Sequence, residues 1–175
     1  TKALISDLGE SQVIAADLLE HDPQVQCQYY KLDVTDKETY ERIVKDEKVD
    51  YIVHLAAILS SLGEKHPALA YDVNVTGATN ALNLARDTIA KYTFHHQLQC
   101  LAENHSKKTK LQTIDSLTKT IYGVTKVFNE LLGEYYKDKY GVDFRSIRYP
   151  GVISSAKYAF NGTTDYSTGK YKPLC

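Results

Sequence analysis

At 175 residues, 43% hydrophobic and 25% charged, the chain has the size of one domain with a real core. A formal net charge of -1 leaves no Lys/Arg excess for neutralising phosphates, which argues against a nucleic-acid partner. No apolar run approaches the roughly 18 residues of a membrane span. Cys27, Cys100 and Cys175 are odd in number and scattered, so neither a disulfide framework nor a metal site is expected, and a soluble protein of a reducing compartment is.

Residues 2–8 (KALISDL) have the pattern of the last turns of a helix, with Gly9 as its C-cap. The apolar run 12–16 (QVIAA), ending in Asp17, predicts a buried parallel strand. Residues 27–32 (CQYYKL) predict a second strand, closed by Asp33-Val34-Thr35-Asp36. Thr35 or Asp36 can cap an amphipathic helix over 37–45, where Tyr40, Ile43 and Val44 recur at helical spacing. Residues 50–55 (DYIVHL) predict a third strand.

A helix is predicted over about 67–90, with Leu69, Val73, Ala78, Leu82 and Ala85 as one apolar stripe. Another covers 119–140, with Val124, Val127, Phe128, Leu131, Leu132 and Tyr135 apolar. Gly141 ends it, and 143–148 (DFRSIR) predict a further strand. Residues 94–113 stand where another buried strand is due, yet they are polar and aperiodic, and the tail from Ser154 reads as loop. Alternating strands and helices mean an α/β fold with a parallel sheet, right-handed crossovers and helices on both faces.

Tyr122 and Lys126 stand four residues apart, which puts both on one helical face. A free phenol is a poor base at neutral pH, and a neighbouring cation favours its ionised form. Such a phenol can take a hydroxyl proton while a hydride leaves the same carbon. The bare spacing is weak evidence, because Tyr136-Lys-Asp-Lys-Tyr140 places further Tyr and Lys together on what is expected to be a solvated face. Asp17, at a strand's carboxyl end, has the position of an acid that binds an adenosine ribose, or of a solvated strand-end carboxylate. Asp33 and Val34 end the next strand, where an N-cap role competes with adenine contact. Leu55, Ala56 and Ala57 bring small residues to a third strand end, for close backbone approach to a cofactor or for simple packing. His95, His96, His105 and Cys100 lack a zinc spacing and are expected in irregular chain.

On the segments LSSLGE (59–64), the run YGVTKVFNELLGEYYKDKYGVDFRSIRYPGVIS from Tyr122, and GTTDY (162–166), the chain resembles the extended short-chain dehydrogenase family, most closely its L-threonine 3-dehydrogenases. The resemblance implies an incomplete Rossmann-like doubly wound sheet and NAD-dependent oxidation of L-threonine to 2-amino-3-oxobutanoate. It implies Tyr122 as acid/base, with Lys126 assisting it and holding the nicotinamide ribose. Asp17 and Leu18 would contact the adenosine ribose, Asp33 and Val34 the adenine, and Leu55, Ala56, Ala57 and Val152 the rest of the cofactor. Ser60, Ser61 and Thr164 are the implied substrate contacts, and helices 67–90 and 119–140 an implied homodimer face.

Two departures from the family pattern bear on activity. The family's first strand and Gly-rich turn have no counterpart, so residues 1–153 are expected to be a truncated dinucleotide-binding domain and 154–175 the start of a substrate lobe. The hydroxyl-bearing Pro-Ser-Ser/Thr element, due about 26 residues before Tyr122, falls on His96 and Gln97. Impaired or absent turnover is therefore expected. The alternatives are an inactive remnant that binds a partner and a sugar-nucleotide epimerase or dehydratase, against which LSSLGE and GTTDY speak. The resemblance allows a mitochondrial or a cytoplasmic location.

Overall fold

The computed structural model describes residues 1–88, 91–96 (by their backbone) and 119–148. Helix α1 (Lys2–Leu8) ends as its sequence predicts, with Gly9 at φ 90° and its N–H donating to the Ile5 carbonyl at 2.9 Å. Strands β1 (Ile14–Asp17) and β2 (Gln28–Lys31) pair in parallel, Ile14 opposite Gln28 and Asp17 opposite Lys31. Asp36, rather than Thr35, caps α2 (Lys37–Asp46), its carboxylate accepting the Thr39 N–H at 3.1 Å. Hydrogen bonding at Thr39 holds that carboxyl below its ordinary range. Tyr40, Ile43 and Val44 are buried as the helical spacing predicts.

A second parallel sheet has the order β3 (Tyr51–His54), β4 (Lys91–His96), β5 (Arg145–Arg148). Here the structure corrects an expectation. Phe94, His95 and His96 belong to the middle strand, not to irregular chain. A place between two parallel strands gives every backbone N–H and C=O a partner, and that outweighs a polar side-chain pattern. The remainder of the aperiodic region, with Cys100 and His105, lies outside the described residues.

The predicted 67–90 helix is also corrected. After the short α3 (Ser60–Lys65) come α4 (Pro67–Tyr71), a π turn (Asp72–Thr76) and α5 (Gly77–Thr88). In the π turn the Gly77 N–H reaches back five residues to the Asp72 carbonyl. The extra residue rotates everything beyond it by about 100° relative to the turn before. The single stripe is thereby split. Ala78, Leu82 and Ala85 lie in the core with Ala81 and Leu84, whereas Leu69 is exposed.

Helix α6 (Ile121–Tyr140) starts at Thr120, whose hydroxyl accepts the Gly123 N–H at 3.2 Å, and ends at Gly141 in the left-handed region, φ 71°. Its buried face is Tyr122, Gly123, Thr125, Lys126, Asn129, Gly133 and Tyr136. The bulky apolar positions Val124, Phe128, Leu131 and Tyr135 are exposed instead. The inward face is narrow and polar because it packs closely on the π turn and on Phe144, which leaves the large side chains outside. The core joins Leu32, Tyr40, Ile43, Val44 and Ile52 to α5 and to Tyr136, Val142 and Phe144. No described residue of β1 pairs with β3, and an open cleft lies between the two sheets.

Candidate active site

Because β1 and β2 run parallel, their carboxyl ends share one side, and β3 ends on the same cleft. Asp17, Leu18, Asp33, Val34, Leu55, Ala56 and Ala57 all line this cleft, whose volume is about 1030 Å³. Seven residues singled out along 41 positions of chain thus converge on one surface, as expected of ligand sites beyond parallel strand ends. The Asp17 carboxylate accepts the Leu19 N–H at 3.3 Å. Asp33 accepts from the Thr35 N–H at 2.9 Å and the Thr35 hydroxyl at 2.7 Å, so it fastens the turn ahead of α2, while the capping role falls to Asp36.

Tyr122 and Lys126 lie one turn apart on the inward face of α6, the Lys126 Nζ 5.3 Å from the centre of the Tyr122 ring. Both are buried, at 5% and 3% exposure. Neither lines the cleft directly. His54, the last residue of β3, connects the two regions: it lines the cleft, and the Lys126 charge acts on it. Ser60 and Ser61 open α3 and are not in the cleft lining, although α3 packs on α6 and its Glu64 accepts the Ile121 N–H at 2.8 Å. Val152, Thr164 and Gln97 lie outside the described residues.

Burial first, and the Lys126 charge second, push the His54 imidazole down to about 3, so it is neutral in the fold. Above its unfolded value of about 6.5 the neutral ring carries no penalty. Below that value only the unfolded chain gains the proton, so stability falls as pH falls towards 3. Between pH 7 and 5 this loss is about 2 kcal/mol from His54 alone. Urea titrations at the two pH values measure it, and His54→Gln is expected to flatten the dependence.

A network that the sequence did not announce ties these parts together. Asn74, in the π turn, accepts the Ile58 N–H at 2.7 Å and donates to the Ile58 carbonyl at 3.0 Å, gripping the loop after β3. It also donates to the Thr125 hydroxyl at 3.1 Å, which in turn donates to the Tyr122 carbonyl at 2.8 Å. Asn129 donates to the Asn74 carbonyl at 2.7 Å. Thus one buried amide joins the Leu55–Ala57 wall of the cleft to the helix that carries Tyr122 and Lys126. Asn80 does similar work at the β2 end, donating to the Val34 carbonyl at 3.0 Å. Asn74, Asn80 and Asn129 fall beside the predicted apolar stripes rather than on them, so periodicity carried no signal of the network.

The family model described as the NAD dependent epimerase/dehydratase family matches residues 2–170. The chain belongs to that family. A curated relative, an uncharacterized epimerase/dehydratase of Staphylococcus haemolyticus, is 39% identical over 166 residues, 93% of this chain and 52% of the relative. The chain therefore spans about half the length of the curated relatives it matches. Among solved structures it is similar to a monomeric L-threonine 3-dehydrogenase from a metagenome, with TM-score 0.88 and 39% identity over 97% of this chain and 55% of that one. The L-threonine dehydrogenase of Clostridium difficile gives 0.88 and 38% over 95% and 53%. A UDP-glucose 4-epimerase of Thermotoga maritima, 23% identical with TM-score 0.80 over 97% of this chain and 57% of that one, shares the fold.

These family relations accord with a doubly wound α/β fold and make NAD the cofactor to test against the site. The residues present in this epimerase/dehydratase chain fit its adenosine half. A carboxylate stands at the β1 end, and small Ala56 and Ala57 at the β3 end permit close backbone approach.

Proposed function

We propose that this chain holds NAD along the strand-end cleft and carries the proton-transfer pair of an L-threonine 3-dehydrogenase, with turnover impaired. The observation that supports this most is the Tyr122–Lys126 pair, buried one turn apart on the inward face of α6, whose Thr125 is joined through Asn74 to the loop after the Leu55–Ala57 wall of a cleft lined by the seven candidate cofactor residues. Asp17 and Leu18 hold the adenosine ribose, Asp33 and Val34 the adenine, and Leu55, Ala56, Ala57 and Val152 the remaining length. Ser60, Ser61 and Thr164 contact the substrate.

Held ionised by the neighbouring Lys126 ammonium, the Tyr122 phenolate oxygen accepts the proton of the threonine hydroxyl and becomes neutral. NAD, when bound, supplies the hydride acceptor. Impairment follows from the sequence offset at which His96 and Gln97 replace a hydroxyl-bearing pair, removing a donor to the substrate oxygen. Residues 1–153 serve as the dinucleotide-binding unit and 154–175 begin the substrate lobe. A second copy packs on the helices of 67–90 and 119–140, where Phe128 and Leu131 stand exposed on α6.

NAD at 100 times its dissociation constant is expected to stabilise the fold by about 2.7 kcal/mol. A thermal melt with millimolar NAD measures this, and an unmoved midpoint removes the cofactor reading. Threonine-dependent NADH formation, slow in this chain, is expected to fall a further ~10²–10⁴-fold in Tyr122→Phe with the NAD-induced shift retained. Equal rates in the two proteins would remove the acid/base assignment.

A further inference from the structure

The start of α6 is held from two directions. An α-helix leaves its first four N–H groups without partners inside the helix. At α6 the Gly123 N–H is met locally, by the Thr120 hydroxyl. The Ile121 N–H is met from 57 positions away in sequence, by the Glu64 carboxylate at 2.8 Å. The helix dipole favours a carboxylate at this end, and a charged acceptor makes the bond stronger than a neutral one.

The residue before Glu64 acts on the same point. Gly63 is buried, and a Cβ built on it would stand 3.2 Å from Ile121 Cγ2 and 3.4 Å from Ala70 Cβ. A side chain there would push α3 and α6 apart by a few tenths of an ångström. Contact at Gly63 and the bond at Glu64 together fix how α3 sits against Ile121, the neighbour of Tyr122. The same short helix carries Ser60 and Ser61, and Ser60 lies one turn from Glu64. Glu64 itself is exposed, and no residue of α3 lines the strand-end cleft.

We propose that Glu64 is a positioning residue, whose carboxylate on the first amide of α6 holds the Tyr122 oxygen in register with the serines of α3. This deepens the dehydrogenase reading and rests on it for the roles of Tyr122, Ser60 and Ser61. A substrate held by α3 must bring its hydroxyl to within about 3–3.5 Å of the Tyr122 oxygen. A misplacement of about 1 Å costs on the order of 100-fold in rate. One side chain bridging the two helices sets that distance, and it touches neither substrate nor cofactor in doing so.

The test labels the full chain with 3-fluorotyrosine and assigns the Tyr122 fluorine signal by its loss in Tyr122→Phe. Glu64→Ala is expected to shift that signal while most other tyrosine signals stay in place. It is also expected to speed exchange of the Ile121 amide at least about tenfold. Glu64→Gln keeps a carbonyl acceptor without the charge and is expected to restore both towards the parent. Gly63→Ala, with the carboxylate intact, is expected to shift the same fluorine signal by moving α3. Threonine-dependent NADH formation is expected to fall ~10–100-fold in kcat for Glu64→Ala, with NAD affinity unchanged.

An unmoved Tyr122 signal with unchanged Ile121 exchange in Glu64→Ala would overturn the positioning role. So would a uniform change of all tyrosine signals with a lower urea midpoint, the mark of a cap that only stabilises. A Gln variant as altered as the Ala variant would overturn it too, because charge and not contact would then be the agent. The fluorine and exchange readouts need no turnover. NADH formation that depends on Tyr122 but not on Glu64 removes the positioning role alone. Formation indifferent to Tyr122→Phe, with the Glu64→Ala signal shift present, removes the acid/base reading and leaves the register between α3 and α6 in place.

Discussion

Gly133→Ala is expected to lower stability by about 3 kcal/mol or more, enough to unfold a domain whose total is of the order of 5–15 kcal/mol. A Cβ built on Gly133 falls against the far edge of the Phe144 ring, closer than any real contact. Phe144 is buried in the main core cluster beside Tyr136 and Val142, so its ring has no empty space to enter. Relief therefore requires α6 to move away from β5, which loosens the helix that carries Tyr122 and Lys126. Urea titration measures the effect as a shift in midpoint. Gly133→Ala combined with Phe144→Leu is expected to regain part of the loss, because the smaller side chain withdraws the clashing atoms. A Gly133→Ala protein within 1 kcal/mol of the parent would show that the helix and β5 are not packed as described.

Asn74→Ala is expected to cost about 2–4 kcal/mol and to weaken NAD binding at the same time. The substitution strips partners from both the Ile58 N–H and the Ile58 carbonyl, and it removes the donor to the Thr125 hydroxyl. Unsatisfied buried groups cost about 1–3 kcal/mol each, and Ile58 is only half-buried, which keeps the sum in the lower part of the range. Asn74→Asp separates the terms. It keeps an acceptor for the Ile58 N–H and sets a carboxylate oxygen against the Ile58 carbonyl, so it is expected to be no better than Ala. Denaturation and NAD titration calorimetry together check the pair. A loss of stability with unchanged NAD affinity would show that the Ile58 clamp does not shape the Leu55–Ala57 wall.

Both sites show where reading the chain runs out. Periodicity and caps placed α2, β1, β2, β3 and the carboxyl end of α6, because each signal involves residues within a few positions of one another. The Tyr122–Lys126 pair and the strand-end acids were legible for the same reason: a helical spacing of four and a strand terminus are local facts. The break at Asp72–Thr76 was not legible. Nothing in Asp72-Val-Asn-Val-Thr76 forbids an ordinary helix, and the π turn lets the carbonyl and amide of Asn74 meet Asn129 and Ile58, far away in sequence. The outward placing of Phe128 and Leu131 was hidden likewise, since apolar positions on a helix name a stripe without naming what covers it.

From sequence alone came the alternating α/β order, the helix ends at Gly9 and Gly141, and the chemistry available at Tyr122, Lys126, Asp17 and Asp33. Tertiary structure alone made Lys91–His96 a central strand and brought seven separated residues to one cleft. It also buried His54 where the Lys126 charge acts on it. The physical reason is range: turns, caps and helical spacing are set by neighbouring backbone groups, whereas strand partners and buried polar networks depend on residues that meet only when the chain has folded.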